Sequence, residues 1–185
     1  MPLIVFDVDE TLGAFSAFSD FCQRVSTSPR VSYQLFTHLL DQHPEFLRPG
    51  ILDILSVVKH SKMLRRCGVV LYTNNQGPNE WVDMIRAYIE KKLNYPLFDQ
   101  VIRAYKINGE QIERKRTQHD KSLKDLLACT RYPAKTDVLF VDDQLHPEMV
   151  RQSVHYFHIR PYSRPCTDYE PSRHLLNFLV SFLQK

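Results

Sequence analysis

Four apolar residues, Leu3-Ile4-Val5-Phe6, run directly into Asp7-Val8-Asp9-Glu10-Thr11. A short, uninterrupted apolar run bounded by polar residues predicts a strand covered on both faces, the kind found in parallel sheets. Ligand sites of open parallel sheets lie just beyond the carboxyl ends of the strands. Two acids placed there, two residues apart, are badly positioned for packing and well positioned for chemistry.

The pattern recurs along the chain. Strand-like runs cover 68–72, 100–104, 138–141 and 154–159, with helical patterns between them. In 80–93, the residues Trp81, Met84, Ile85, Tyr88, Ile89 and Leu93 fall on one helical face, as do Ile51, Ile54, Leu55 and Val58 after Pro49. The stretch 172–183 carries Leu175, Leu176, Leu179, Phe182 and Leu183, a broad apolar face for docking. Such alternation indicates an α/β domain with a parallel sheet. The length of 185 residues and 43% hydrophobic content fit one domain with a full core. The segment 13–47, with Phe15, Phe18, Phe21, Tyr33, Phe36 and Phe46, fits the alternation poorly. It reads either as an insertion or flap folded over the sheet edge, or as an ordinary pair of helices on the core.

Several function classes are disfavoured. The 24 basic and 21 acidic residues leave a net charge of only +3, no electrostatic footprint for nucleic acid. Cys22, Cys67, Cys129 and Cys166 are scattered without a C-x-x-C pair, so neither a zinc site nor a disulfide framework is indicated. The N-terminal apolar run is too short for a signal peptide, and no run reaches the roughly 18 residues of a membrane span. An intracellular protein, cytoplasmic or nuclear, is the expectation. With five glycines the chain has no G-x-x-x-x-G-K-[ST] and no G-x-G-x-x-G phosphate loop.

Three further polar clusters end or flank the strand-like runs. Thr73-Asn74-Asn75 follows Val69-Val70-Leu71-Tyr72, Asp142-Asp143 follows Val138-Leu139-Phe140-Val141, and Lys121 opens the helix before the Asp142 strand. In a parallel sheet all of these converge on one rim. Clustered carboxylates repel one another unless a cation intervenes. Oxygen donors suit a hard ion, and Mg²⁺ takes one or two carboxylates together with substrate phosphate and water. An ionised Asp can attack phosphorus to form an aspartyl-phosphate. A second Asp two residues on can protonate the leaving oxygen and then activate water.

These four clusters resemble, in order, the four motifs of the haloacid-dehalogenase-like (HAD) superfamily. Asp7-x-Asp9-x-Thr11 resembles the first, Thr73 the second, Lys121 the third and Asp142-Asp143 the fourth. The second acid of the first motif marks the phosphatase side of that superfamily. Within it the chain is most similar to the C-terminal-domain (FCP/SCP-like, NLI-interacting-factor-like) phosphatases. Asp7-Val8-Asp9-Glu10-Thr11-Leu12 matches their D-x-D-E-T-L start, and Arg48-Pro49 their R-P stretch. Lys124-Asp125-Leu126 resembles their K-D-L, which makes Lys124 a rival to Lys121; Lys121 is preferred because it lies nearer the helix start.

The resemblance implies a three-layer α/β/α sandwich with a central, mostly parallel, Rossmann-like sheet. It implies a single domain over 1–185, with a small insertion after the first motif and no large cap. Asp7 would be nucleophile and Mg²⁺ ligand, and Asp9 the general acid and base, lending its carbonyl to the metal. Thr73 would hydrogen-bond the transferring phosphoryl group, and Lys121 would neutralise it and pair with acids; Thr11 would help orient the Asp9 loop and, with Asn74, count among the substrate-side residues. Asp143 would ligate the metal and Asp142 would either ligate it or pair with Lys121, their division of labour open. The implied activity is hydrolysis of phosphate monoesters, on a phosphoprotein in first place. Asn74-Asn75-Gln76-Gly77 is closer to the T-N-Q-x-G of polynucleotide and histidinol phosphatases. This keeps a nucleic-acid 3′-end or a small metabolite as alternatives, and a catalytically silent binding module as a third reading.

The remaining polar residues have plainer explanations. His155 and His158 are three apart on a strand and point to opposite faces, which argues against joint ligation. His119 and His146 flank motif residues; either could touch substrate, but a surface role is the expectation for each. Arg114-Lys115-Arg116 reads as a solvated basic loop, and Trp81 as core.

Overall fold

The computed structural model describes residues 1–164 and 173–184; Cys166 and the expected helix start at Ser172 lie outside them. Five parallel strands form the central sheet in the order β3-β2-β1-β6-β7. They are β1 (Leu3–Phe6), β2 (Gly68–Tyr72), β3 (Gln100–Ile102), β6 (Val138–Asp142) and β7 (Val154–His158). Every residue of β1 is fully buried, as the continuous apolar run requires of the middle strand.

Period-two alternation divides the strand side chains between two layers. Ile4, Phe6, Val69, Leu71, Leu139 and Val141 point into the larger core. There α3 (Ile51–Met63), α4 (Asn79–Leu93) and α6 (Arg173–Leu183) cover them. Leu3, Val5, Val70, Tyr72, Val138 and Phe140 face the other way, beneath Leu126 and Cys129 of α5 (Leu123–Thr130). The result is the expected three-layer sandwich. Each covering helix has a local reason to form. In α4 the apolar stripe is Trp81, Ile85, Tyr88, Ile89 and Leu93, and the helix stops at Asn94, whose φ of 48° is left-handed. In α5 the Ser122 hydroxyl accepts from the Asp125 N–H at 3.1 Å.

The 13–47 segment folds as α1 (Phe15–Val25) and α2 (Tyr33–Gln42). Its two ends meet, since Gly13 pairs with Leu47 in an antiparallel bridge and the Ala14 N–H donates to the Phe46 carbonyl at 2.8 Å. Its aromatics merge with the larger core. The Phe18 ring lies 5.2 Å from Phe36, 5.0 Å from Phe46 and 5.9 Å from Trp81 of α4. Trp81 is thus core, as its place on the helical stripe predicts.

One difference from the sequence reading has a physical cause. The strand expected over 100–104 ends at Ile102, and a two-stranded ribbon, β4 (Lys106–Ile107) with β5 (Glu110–Gln111), follows it. Its turn is Asn108-Gly109, both at positive φ (50° and 86°), the backbone that an Asn-Gly pair favours. The flanking alternation (Tyr105, Ile107) is too short to mark a strand, so the turn is the main signal of the hairpin. His155 and His158 do diverge: His155 packs on the Phe182 ring at 5.1 Å, while the His158 Nε2 lies 2.9 Å from the Asp143 carbonyl oxygen.

At Gly13 an added Cβ would lie 2.6 Å from the Phe46 carbonyl oxygen and 3.0 Å from the Phe15 ring. The carbonyl belongs to the bridge and cannot swing away. Gly13→Ala is expected to destabilise the fold by about 1–3 kcal/mol, read as a lower urea midpoint with an unchanged slope. A wild-type midpoint would contradict this account of the bridge.

Candidate active site

The sheet register assembles the site. Phe6 pairs with Leu71 on one side and with Val141 on the other, so the residues just past these positions share one rim. Asp7 follows in β1 and Asp142 ends β6, with the Asp7 N–H donating to the Val141 carbonyl at 2.9 Å. Thr73 leaves β2 on the same rim, its N–H donating to the Ile102 carbonyl at 3.0 Å. Lys121 comes from the loop before α5, two residues ahead of the helix rather than inside its first turn.

Lys121 is the centre of the arrangement. Its ammonium donates to Asp7 Oδ1 in a very short contact and to Asp142 Oδ2 at 2.6 Å, with all three side chains buried. Lys124 is exposed, so Lys121 is the lysine that meets the acids. Burial pushes the Asp7 carboxyl well above the usual carboxylate range; Lys121 opposes this, while Asp142 and Asp9 add to it. Burial also favours neutral Asp142, but Lys121, His146 and the Gln144 N–H together hold it below the ordinary value. Burial works against the charge on Lys121 too, yet the two carboxylates keep its ammonium above the usual lysine range. One lysine thus secures the charge of Asp142 but leaves Asp7 short of positive charge.

Asp143 completes the acidic group. Asp7, Asp142 and Asp143 each offer an oxygen, all within 4.8 Å of one another. Asp9 stands beside them, with Oδ2 accepting from Asn75 Nδ2 at 2.8 Å and Oδ1 buried without a hydrogen-bond partner. Burial raises the Asp9 carboxyl, with Asn75 and Lys121 pulling the other way. Oxygen donors, an excess of carboxylate over ammonium and an orphaned buried oxygen are what a hard cation would relieve. Asp7, Asp142 and Asp143 can therefore hold a metal ion.

The sequence-predicted residues separate by position. Asp7, Asp9, Asn74, Lys121 and Asp143 line a cleft of about 280 Å³, together with His146. Thr73 is buried behind them, its Oγ1 accepting from the Asn75 N–H at 3.0 Å. Thr11, expected on the substrate side, is buried under Asp143 instead. Its hydroxyl donates to Asp143 Oδ1 at 3.2 Å and accepts from the Asp143 N–H at 3.2 Å, linking the first and fourth motifs.

Three residues do more than the sequence suggested. His146, expected at the surface, is only 6% exposed, its Nε2 3.5 Å from Asp142 Oδ2. Arg116, read as part of a solvated loop, is 1% exposed. Its guanidinium lies 4.9 Å from the Tyr72 ring centre and donates to the carbonyls of Thr73 (3.2 Å), Arg103 (2.9 Å) and His119 (2.6 Å). Arg48 is as deeply buried, donating to the carbonyls of Thr11 (2.5 Å), Glu10 (2.5 Å) and Arg160 (2.8 Å). It fixes the turn in which Glu10 holds a positive φ of 56°. Apart from the His119 carbonyl, three residues on, the acceptors of both arginines are backbone carbonyls distant in the chain, which residue types cannot reveal. His119 is exposed as expected, edge-on to Tyr105 at 5.4 Å.

The sequence profile of the NLI interacting factor-like phosphatase family matches residues 2–185. The chain belongs to that family, a branch of the HAD superfamily, and the family is one of phosphatases. Neither the curated proteins nor the solved structures provide a match.

Removing the buried cation tests the electrostatics. In a chelated buffer, Lys121→Met takes from Asp7 and Asp142 the ammonium they share, at a cost of about 3–5 kcal/mol. Both acids then titrate higher in the folded than in the unfolded chain, so the folded state binds more protons and stability falls as pH rises through the folded values. Urea unfolding at pH 5 and pH 8 is expected to show a larger deficit at pH 8. A deficit equal at both would contradict this charge assignment.

Proposed function

We propose that the chain is a Mg²⁺-dependent phosphatase that hydrolyses phosphate monoesters through an aspartyl-phosphate, with a phosphoprotein as substrate. The observation that carries this reading is Lys121 shared between Asp7 and Asp142, beside the third carboxylate of Asp143. A Mg²⁺ ion bound by Asp7, Asp142, Asp143 and the Asp9 carbonyl would offset the negative charge of the phosphoryl oxygens and help keep Asp7 ionised.

The chain's own groups divide the remaining work. An Asp7 carboxylate oxygen forms the new bond to phosphorus as the ester P–O bond breaks. Asp9, held by Asn75 and raised by burial, gives its proton to the departing oxygen. The same carboxylate then takes a proton from water as the water oxygen attacks phosphorus and frees Asp7. Lys121 neutralises charge on the transferring group, and Thr73 and Asn74 orient it from the β2 rim. A phosphoprotein is favoured because the chain between Thr73 and Lys121 is taken up by α4, β3 and a small ribbon. No large cap stands in that interval to close over a small metabolite.

Asp7→Asn is expected to abolish release of inorganic phosphate from an aryl phosphate while leaving the thermal midpoint in place; undiminished turnover would refute the nucleophile. Asp9→Asn should slow turnover about 10²–10⁴-fold, with the loss greater for alkyl than for aryl leaving groups. Chelation should silence the wild type and added Mg²⁺ restore it. Parallel assays on phosphopeptides, 3′-phosphorylated oligonucleotides and sugar phosphates should give the highest kcat/KM on phosphopeptides. Preference for either other class would overturn that choice of substrate.

A further inference from the structure

The lysine that joins the acids sits on a loop, and loops do not hold a side chain in place unaided. Three contacts fix this one. The Arg116 guanidinium holds the His119 carbonyl, the Tyr72 hydroxyl accepts from the Ser122 N–H at 3.3 Å, and the Lys121 N–H itself donates to His146 Nδ1 at 3.4 Å. His146 is the one that also reaches the acids. With Nδ1 accepting, the ring proton of a neutral imidazole resides on Nε2. Nε2 is buried, makes no hydrogen bond of its own, and lies 3.5 Å from Asp142 Oδ2. The same ring therefore touches the backbone of Lys121 and faces the carboxylate that Lys121 binds.

The main chain that carries the ring is itself anchored. The His146 N–H donates to the Tyr156 hydroxyl at 3.2 Å, and that hydroxyl donates to the Gln144 carbonyl. The Phe140 ring stands 6.3 Å away on the inner side. A packing histidine would need neither nitrogen placed in this way.

We propose that His146 is a positioning residue of the active site, which acts through its Nε2–H tautomer to hold Lys121 and Asp142 in register for phosphoryl transfer. This rests on the phosphatase reading above for its catalytic consequence, but not for its geometry. Partners of this kind around metal and phosphoryl sites change activity by about 10–100-fold when removed.

The test has two arms. Long-range ¹H–¹⁵N correlation on the full-length wild type, with and without Mg²⁺, reads the tautomer directly. A proton on Nε2 with a bare Nδ1 is expected, and a ring protonated on Nδ1 overturns the proposal whether or not the protein turns over. In the second arm, His146→Phe keeps the ring and removes both nitrogens, whereas His146→Gln restores a donor. The Phe variant is expected to lose about 10–100-fold in kcat with KM within about twofold, and the Gln variant to recover part of the loss. Wild-type kcat in the Phe variant overturns the proposal, as does an equal loss in both variants. Failure of the Phe variant to fold leaves the tautomer measurement to decide. Absence of turnover in the wild type would instead count against the phosphatase reading.

Discussion

One buried ammonium shared by two carboxylates organises this molecule. Removing charges from water is costly, and a buried ion pair is tolerated only with good geometry and further hydrogen bonds. Here those conditions are supplied from several directions. β1 and β6 deliver Asp7 and Asp142 side by side through their register, and the 119–122 backbone is fixed by Arg116, Tyr72 and His146. The Asp142 Oδ1 also accepts from the Gln144 N–H at 2.8 Å. Strand order, loop anchoring and side-chain chemistry thus meet at a single point, and the rim of the sheet could not be rearranged without leaving a charge stranded.

The unequal treatment of the two acids has a chemical use. Hydrogen bonds and Lys121 hold the Asp142 carboxyl below the ordinary value, while burial holds that of Asp7 above it. A carboxylate in that condition gains most from a cation arriving beside it. Under the proposed function, the excess negative charge that would strain a purely structural cluster would serve to recruit a divalent cation. Burial similarly gives Asp9 a reason to carry a proton, and its two-residue spacing from Asp7 places both on one turn.

Much of this was readable from residues alone, and the exceptions share a cause. The three central strands announce themselves because both their faces are covered, so the apolar run is uninterrupted, as in Leu3-Ile4-Val5-Phe6. The polar clusters at their ends could be ranked because acids have little other reason to follow such runs. Arg48 and Arg116 escaped because their acceptors are main-chain carbonyls brought near by folding. His146 escaped because nothing in its neighbourhood of the sequence tells that a loop 25 residues earlier returns to its ring. The Asn108-Gly109 ribbon was marked mainly by its turn, with flanking alternation too short to give it weight.

The bridge between Gly13 and Leu47 makes the intervening helices a closed excursion, leaving the scaffold and rejoining it at neighbouring backbone positions. The entropic penalty of closing such an excursion grows only logarithmically with its length. Evolution can thus lengthen, shorten or replace what lies between without disturbing the spacing of the central strands. The contacts of Phe18 and Phe36 with Trp81 limit this freedom, since any replacement has to furnish apolar surface for the face of α4 that these rings cover.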